Sequence, residues 1–114
     1  MHASQTKSPC TFHLPSVMLK DIETYARRVD RPTGWCVRMA WSLAAPEIER
    51  YSADDSTVET GLFGGMREAQ PVPLPNGTWR TIRQEAARLD RSPSWIVQQA
   101  WRIARPHFIE TAHA

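Results

Sequence analysis

The stretch LDRSPSWIVQQAW, residues 89–101, decides the fold, because a diverged copy of it, VDRPTGWCVRMAW, lies 60 residues earlier at 29–41. Working outward at the same offset, residues 14–48 align with residues 74–108, and thirteen of these thirty-five pairs are identical. Two of the identical pairs are tryptophan, a rare residue, which argues strongly against coincidence. The sequence is therefore two copies of one short unit fused in tandem.

Each copy has the pattern of a strand followed by a helix. Alternating polar and apolar residues lead up to Leu14, which predicts a short strand that Pro15 ends. A helix is then expected from near Ser16, because apolar residues recur at steps of three and four. These helical positions are Leu19, Ile22, Ala26 and Val29 in the first copy and Trp79, Ile82, Ala86 and Leu89 in the second.

A second helix is predicted in each copy after the dipeptide Asp-Arg. The signal is clearest in the second copy, where Ser92 can cap the helix and Pro93 occupies its first position. Pro46 and Pro106 are expected to end or kink these helices. Their apolar positions also match between the copies: Cys36, Val37, Ala40, Trp41 and Ala44 in the first, and Ile96, Val97, Ala100, Trp101 and Ala104 in the second.

The two copies are expected to fold together as one domain, because a unit of about 45 residues is close to the size below which a core is hard to build. The region between them is polar and contains three glycines, which is typical of a flexible connector. The predicted boundaries are an N-terminal tail at 1–7, the first unit at 8–51, a linker at 52–69, the second unit at 70–110 and a C-terminal tail at 111–114.

Composition favours a soluble, cytoplasmic, globular protein that is not an enzyme. Of the 114 residues, 41% are hydrophobic and 23% charged, with a net charge of +2 and ten arginines within the two copies. The longest apolar-rich stretch, residues 37–45, is much shorter than the roughly 20 residues of a membrane helix. Cys10 and Cys36 fall on apolar positions and are interpreted as core residues. No catalytic pair, phosphate-binding glycine loop or metal-ligand spacing is present, so we expect no cofactor and no metal.

Taken together, the order of elements resembles the ribbon-helix-helix family of small bacterial and phage DNA-binding proteins. The resemblance rests on the Leu-Pro pairs at 14–15 and 74–75, the turn rich in Arg and Ser at 89–95, and the Ala-Trp pair at 100–101. Members of this family are normally homodimers. The resemblance therefore implies a single-chain pseudo-dimer that is mostly α (α+β by strand count), with a two-stranded antiparallel ribbon over four helices.

The resemblance also implies which residues face DNA. In the family, the outward face of the ribbon enters the major groove, and the start of the second helix holds a backbone phosphate. The base-facing positions here are Thr11, His13, Pro71 and Pro73. The phosphate-anchoring candidates are Arg31, Thr33, Arg91, Ser92 and Ser94, for which the alternative is a set of helix caps and solvated arginines. None of the base-facing residues is Arg, Lys, Asn or Gln, so base reading is expected to be weak.

Trp35 and Trp95 lie on helix faces with mostly polar neighbours and are expected outside the central core. An indole at this place can stack on a base, pack over a guanidinium, or cover the join between helix and ribbon. These three roles stay open at the level of sequence.

Two functions from different classes are consistent with these patterns. The first is a transcription regulator that binds duplex DNA through phosphate anchoring and a weakly specific ribbon, with pseudo-dimers that associate side by side. The alternative is the same module adapted to bind a protein partner or a small anionic ligand, such as a cyclic dinucleotide. The proline-rich second strand motivates this alternative.

Overall fold

The computed structural model describes residues 7–52 and 67–113, and the side chains of 7–9, 67 and 109–113 are outside this description. In chain order the described elements are β1 (Lys7–Pro15), α1 (Ser16–Val29), α2 (Thr33–Ile48), β2 (Arg67–Pro75), α3 (Asn76–Leu89) and α4 (Pro93–His113). The predicted mostly helical class with a two-stranded antiparallel sheet is confirmed. No helix in these ranges is both long enough and apolar enough to cross a membrane.

The two strands pair along their whole length, from Lys7 opposite Pro75 to Pro15 opposite Arg67. Because side chains alternate along a strand, the even-numbered residues face the helices. The side chains of Cys10, Phe12, Leu14, Val72 and Leu74 are accordingly buried. The apolar residues of the alternating pattern in the sequence thus form the inward face of the sheet.

Proline is tolerated in β2 because of this register. The backbone N–H of His13 points away from β2 and donates to Ser94 Oγ at 2.9 Å. His13 lies opposite Ala69, and the pairs that contain Pro71 and Pro73 lie two and four residues further along the sheet. Backbone N–H directions repeat every two residues, so residues 71 and 73 also direct this position of the backbone away from β1. Their missing N–H groups would have pointed away from the partner strand, and the hydrogen bonds between the strands are not interrupted.

Matching Asp-Arg pairs end the first helix of each unit. Asp30 and Asp90 adopt left-handed backbone conformations, with φ of 57° and 56°, which a short polar side chain tolerates better than most. The N–H groups of Arg31 and Arg91 then donate to the carbonyls of Ala26 and Ala86, at 3.0 and 2.9 Å. This turn fixes each arginine immediately before the second helix.

Three of the described elements cross the predicted boundaries. β1 begins at Lys7, the last residue of the predicted N-terminal tail at 1–7, and α4 runs to His113, into the predicted C-terminal tail at 111–114. β2 begins at Arg67, inside the predicted linker and before the expected start of the second unit at residue 70. Pairing with β1 rather than local strand propensity sets this limit, because Glu68 and Ala69 are poor strand formers. Residues 53–66 of the predicted linker and residues 1–6 of the predicted N-terminal tail lie outside the described residues.

The prolines of the second helices do not end them at once. α2 continues past Pro46 to Ile48, and α4 continues past Pro106 to His113. Both prolines are exposed, so the helical carbonyl that loses its N–H partner can bond to water.

The two units interlock through crossed contacts. α2 packs along α4, and each of these helices contacts the strand of the other unit, α4 on β1 and α2 on β2. The buried apolar side chains of both units form one cluster, which includes both cysteines as expected. Neither unit encloses its apolar face without the other.

Two buried tryptophans join each second helix to the first helix of the other unit. The indole N–H of Trp101 donates to Asp21 Oδ2 at 2.7 Å, and the indole N–H of Trp41 donates to Thr81 Oγ1 at 3.0 Å. Arg105 also pairs with Asp21 at 2.6 Å, and this hydrogen bond raises the pKa of the guanidinium. Because positions 21 and 81 are equivalent, the same link occurs in both halves.

The equivalent carbonyls of Ile48 and Phe108 in the second helices also accept hydrogen bonds from the first helix of the other unit. Arg88 donates to the carbonyl of Ile48 at 3.0 Å and to that of Tyr51 at 2.8 Å. On the other side, the Tyr25 hydroxyl donates to the carbonyl of Phe108 at 2.6 Å. Ile48 is the last residue of α2 whereas Phe108 lies inside α4, so equivalent carbonyls in different settings are bonded by different side chains.

We expect the link between Trp101 and Asp21 to appear as a coupling energy. In a double-mutant cycle of Trp101→Phe and Asp21→Ala, the coupling should be about 1–2 kcal/mol, because the indole donates to a carboxylate in a half-buried site. Urea unfolding of the four proteins measures it. The control cycle of Trp41→Phe with Asp21→Ala joins residues without such a bond and should show coupling within about 0.5 kcal/mol of zero. Equal coupling in both cycles would contradict the assignment.

Tyr25 predicts a loss of stability in alkali. Burial raises the pKa of its hydroxyl above the ordinary value of 10, and Cys36 raises it further while Arg28 opposes the rise. Tyr25 in the unfolded chain therefore ionises at a lower pH than Tyr25 in the folded protein. Its contribution to the free energy of unfolding is present below pH 10 and is lost as the pH rises toward the folded pKa.

Tyr25→Phe should lower the free energy of unfolding at neutral pH by about 1–2 kcal/mol, because the Phe108 carbonyl loses its donor. Its stability should then fall less steeply above pH 10 than that of the original protein. Urea unfolding across this pH range tests both statements, and parallel alkaline profiles for the two proteins would refute the second.

Candidate functional site

The outward face of the sheet presents the four side chains that the sequence assigned to base contacts. Thr11, His13, Pro71 and Pro73 are all exposed, and Thr11 lies directly opposite Pro71. Ala69 completes this face opposite His13. Among the outward side chains that the structure describes, none is Arg, Lys, Asn or Gln. The face offers two single hydrogen-bonding groups and a mostly apolar surface.

The start of α2 is an open groove beside β2. Its preceding residue, Pro32, makes no side-chain cap, so the first-turn N–H groups of Thr33, Gly34 and Trp35 have no capping side chain. The groove has a volume of about 520 Å³. We call it the α2 groove and define it by Arg31, Thr33, Gly34, Trp35, Arg38 and Pro73.

Two arginines give the α2 groove a positive character. The guanidinium of Arg31 lies over the Trp35 indole, 5.2 Å from the ring centroid. Arg38 lies on the next turn of α2 and lines the same groove. Neither arginine forms an ion pair with the carboxylates in the described part of the chain. Asp30, exposed in the adjoining turn, is the nearest acidic residue in sequence to Arg31. The N-terminal end of the helix dipole adds to the positive potential.

The start of α4 has the same Arg-on-Trp arrangement but is closed by internal hydrogen bonds. Arg91 lies 4.8 Å from the centroid of the Trp95 indole. Ser92 Oγ accepts the Trp95 N–H at 3.1 Å, as a helix cap does. Ser94 Oγ accepts the N–H of His13, and Gln98 Nε2 donates to the His13 carbonyl at 3.5 Å.

Besides Ser92, which caps α4, and Pro32, which makes no cap at α2, three pairs of equivalent positions differ between the two helix starts. Where α4 has Ser94, α2 has Gly34, and where β1 has His13, β2 has Pro73, which has no N–H to donate. A Cβ added to Gly34 would lie 2.4 Å from the Pro73 carbonyl oxygen, so only glycine fits this approach. The third pair is Gln98, whose side chain is buried, and Arg38, which faces the α2 groove.

These contacts distinguish among the residues predicted to hold an anion. Arg31 and Thr33 line the α2 groove, whereas the hydroxyl oxygens of Ser92 and Ser94 are acceptors for backbone N–H groups of the chain itself. Trp35 and Trp95 are half-buried, and each packs under an arginine, one of the roles left open by the sequence.

Arg38 and Gly34 were missed at the level of sequence. Comparing the copies at the 60-residue offset pairs them with Gln98 and Ser94, but only the strand register brings Pro73 against Gly34. Without knowledge of that register, the differences between the two copies at positions 34, 38 and 73 appear unrelated to one another.

Comparison with known proteins adds no relative to this description: no protein-family model, curated protein or solved structure matches the chain.

The contact between Gly34 and Pro73 predicts opposite effects for two glycine substitutions. Gly34→Ala should lower the free energy of unfolding by about 1–3 kcal/mol, because β2 or α2 must move to admit the new methyl group. Gly77→Ala is the matched control: nothing lies within 4 Å of its added Cβ, and it should raise stability by roughly 0.5–1 kcal/mol. Thermal unfolding of both variants tests this contrast, which would fail if Gly34→Ala were as stable as the unmodified chain.

Proposed function

We propose that this chain is a single-chain ribbon-helix-helix protein that binds duplex DNA, with its sheet in the major groove and a backbone phosphate at the start of α2. The α2 groove is the observation that carries the proposal, because it combines uncapped helical N–H groups with two arginines that form no ion pair within the described part of the chain. The antiparallel strand pair above four helices, built from two copies of one unit, supports this assignment of fold.

The exposed face of the sheet supports weak discrimination between DNA sequences. Thr11 and His13 can each form a single hydrogen bond to a base edge, whereas the bidentate contacts that discriminate guanine or adenine require other side chains. Pro71 and Pro73 can contact the methyl group of thymine. Affinity would then come mainly from phosphates, and only a modest part from base edges.

The α2 groove also supports the alternative function, binding of a small anionic ligand. Its volume of about 520 Å³ is sufficient for a phosphorylated small molecule. A two-fold symmetric ligand such as a cyclic dinucleotide is less favoured, because the starts of α2 and α4 differ at the positions that would meet its two halves. A protein partner on the apolar outward face is the remaining form of this alternative. Duplex DNA is preferred because the groove adjoins an exposed sheet face.

Binding to duplex DNA should depend steeply on salt. If two or three phosphates are neutralised, affinity should fall about 10- to 40-fold between ~50 and ~200 mM salt, because condensed counterions are released on binding. Fluorescence anisotropy with a labelled duplex measures this. A shuffled duplex of the same length should bind with similar affinity, since none of the outward side chains that the structure describes can make bidentate base contacts.

Absence of DNA binding at low salt would reject the DNA proposal. Saturable binding of inorganic phosphate or pyrophosphate in that case, measured by calorimetry, would favour the alternative of a small-anion site.

A further inference from the structure

We infer that the two related helix starts are functionally inequivalent: the α2 groove takes the anion, and the chain's own side chains close the corresponding place at α4. This inference deepens the proposed function and rests on it for the identity of the ligand as a DNA phosphate. It assigns one phosphate anchor to a molecule whose sequence repeat suggests two.

At α4 several of the polar groups that would meet an anion are already engaged. The N–H of Trp95 donates to Ser92 Oγ, and Ser94 Oγ accepts the backbone N–H of His13 in β1. Gln98 is only 4% exposed, and its donor group is directed to the His13 carbonyl. Its Oε1 atom is buried without a partner in the described residues, and a carbonyl oxygen there repels an anion.

At α2 each of these obstacles is absent. Gly34 and Pro73 supply neither the hydroxyl nor the N–H that link helix and strand on the other side. Arg38 replaces Gln98, so a cation lines the space that an amide oxygen occupies at α4. The open volume and the charge therefore occur at the same end of the molecule.

Trp35 is a positioning residue in this site. Packing over the indole holds the Arg31 guanidinium at a fixed place at the mouth of the groove, so that less side-chain entropy is lost when a phosphate binds. Trp95 holds Arg91 in the same way, but it also contacts the Tyr51 ring, with centroids 6.5 Å apart. The Arg-on-Trp pair alone therefore does not distinguish the two ends; the hydrogen bonds of Ser92 and Ser94 at α4, and Arg38 in the groove at α2, do.

The two arginines form a matched pair for the test, since both are exposed and both lie on an indole. Arg31→Ala should weaken binding to a labelled duplex about 5- to 10-fold and reduce the slope of log K against log salt by about one. Arg91→Ala should change affinity less than about twofold and leave the slope unchanged. Trp35→Phe should retain most of the affinity that Trp35→Ala loses, because a smaller aromatic ring still supports the guanidinium.

A gain of function tests the closed end directly. The quadruple variant His13→Pro/Ser92→Pro/Ser94→Gly/Gln98→Arg copies these α2 residues onto α4 and should steepen the salt slope by about one. Thermal unfolding checks that it is folded. If it is not, the arginine pair and the amide shifts described next still decide the question.

Titration of the full chain with inorganic phosphate, followed by amide NMR shifts, gives a readout that does not require DNA. Shifts at Thr33, Gly34 and Trp35, without shifts at Ser94 and Trp95, are expected. Equal losses of DNA affinity for Arg31→Ala and Arg91→Ala, or equal shifts at both helix starts, would overturn the inequivalence while leaving DNA binding intact. Shifts confined to α2 in a protein that does not bind DNA would reject the DNA proposal and keep the inequivalence.

Discussion

The structure depends on a crossed hydrogen bond made twice, from the indole N–H of a second helix to the first helix of the other unit. Trp101 reaches Asp21 and Trp41 reaches Thr81, and these links lie next to the packing of α2 on α4. Because every such contact joins the two copies, the core exists only when both are folded. This constraint explains why the tryptophans and the small residues Ala40 and Ala100 are identical in both copies while their acceptors differ.

Positions outside this shared core need to satisfy only one half of the molecule. Arg88 and Tyr25 illustrate the result, since they donate to the equivalent carbonyls of Ile48 and Phe108 from a guanidinium and a phenol. In a symmetric homodimer one sequence must fit both environments, whereas a fused pair can diverge at each position separately. The fusion therefore permits one helix start to remain an open groove while the other is bonded to the neighbouring strand.

Much of the fold could be predicted from the sequence because its signals are periodic. The apolar spacing located α1 and α3, and the alternation ending at Leu14 located the inward face of β1. The start of β2 at Arg67 could not be found this way, because a partner strand rather than local propensity sets it. The continuation of α4 past Pro106 also depends on the position of this proline at the surface. The carbonyl that loses its N–H partner there can bond to water instead.

Less of the candidate site could be predicted, because its features are pairs that meet only in three dimensions. Each pair is self-consistent. The backbone N–H of His13 has an acceptor in the hydroxyl of Ser94, whereas Pro73 has no N–H to donate and Gly34 has no hydroxyl to accept. A serine facing Pro73 would clash with its carbonyl, and a glycine facing His13 would leave an N–H without its acceptor. Mixed pairs of residues are therefore unfavourable, and the helix starts of α2 and α4 are two stable forms of one backbone arrangement. Residues that look like independent changes in the sequence are thus coupled by a single contact between helix and strand.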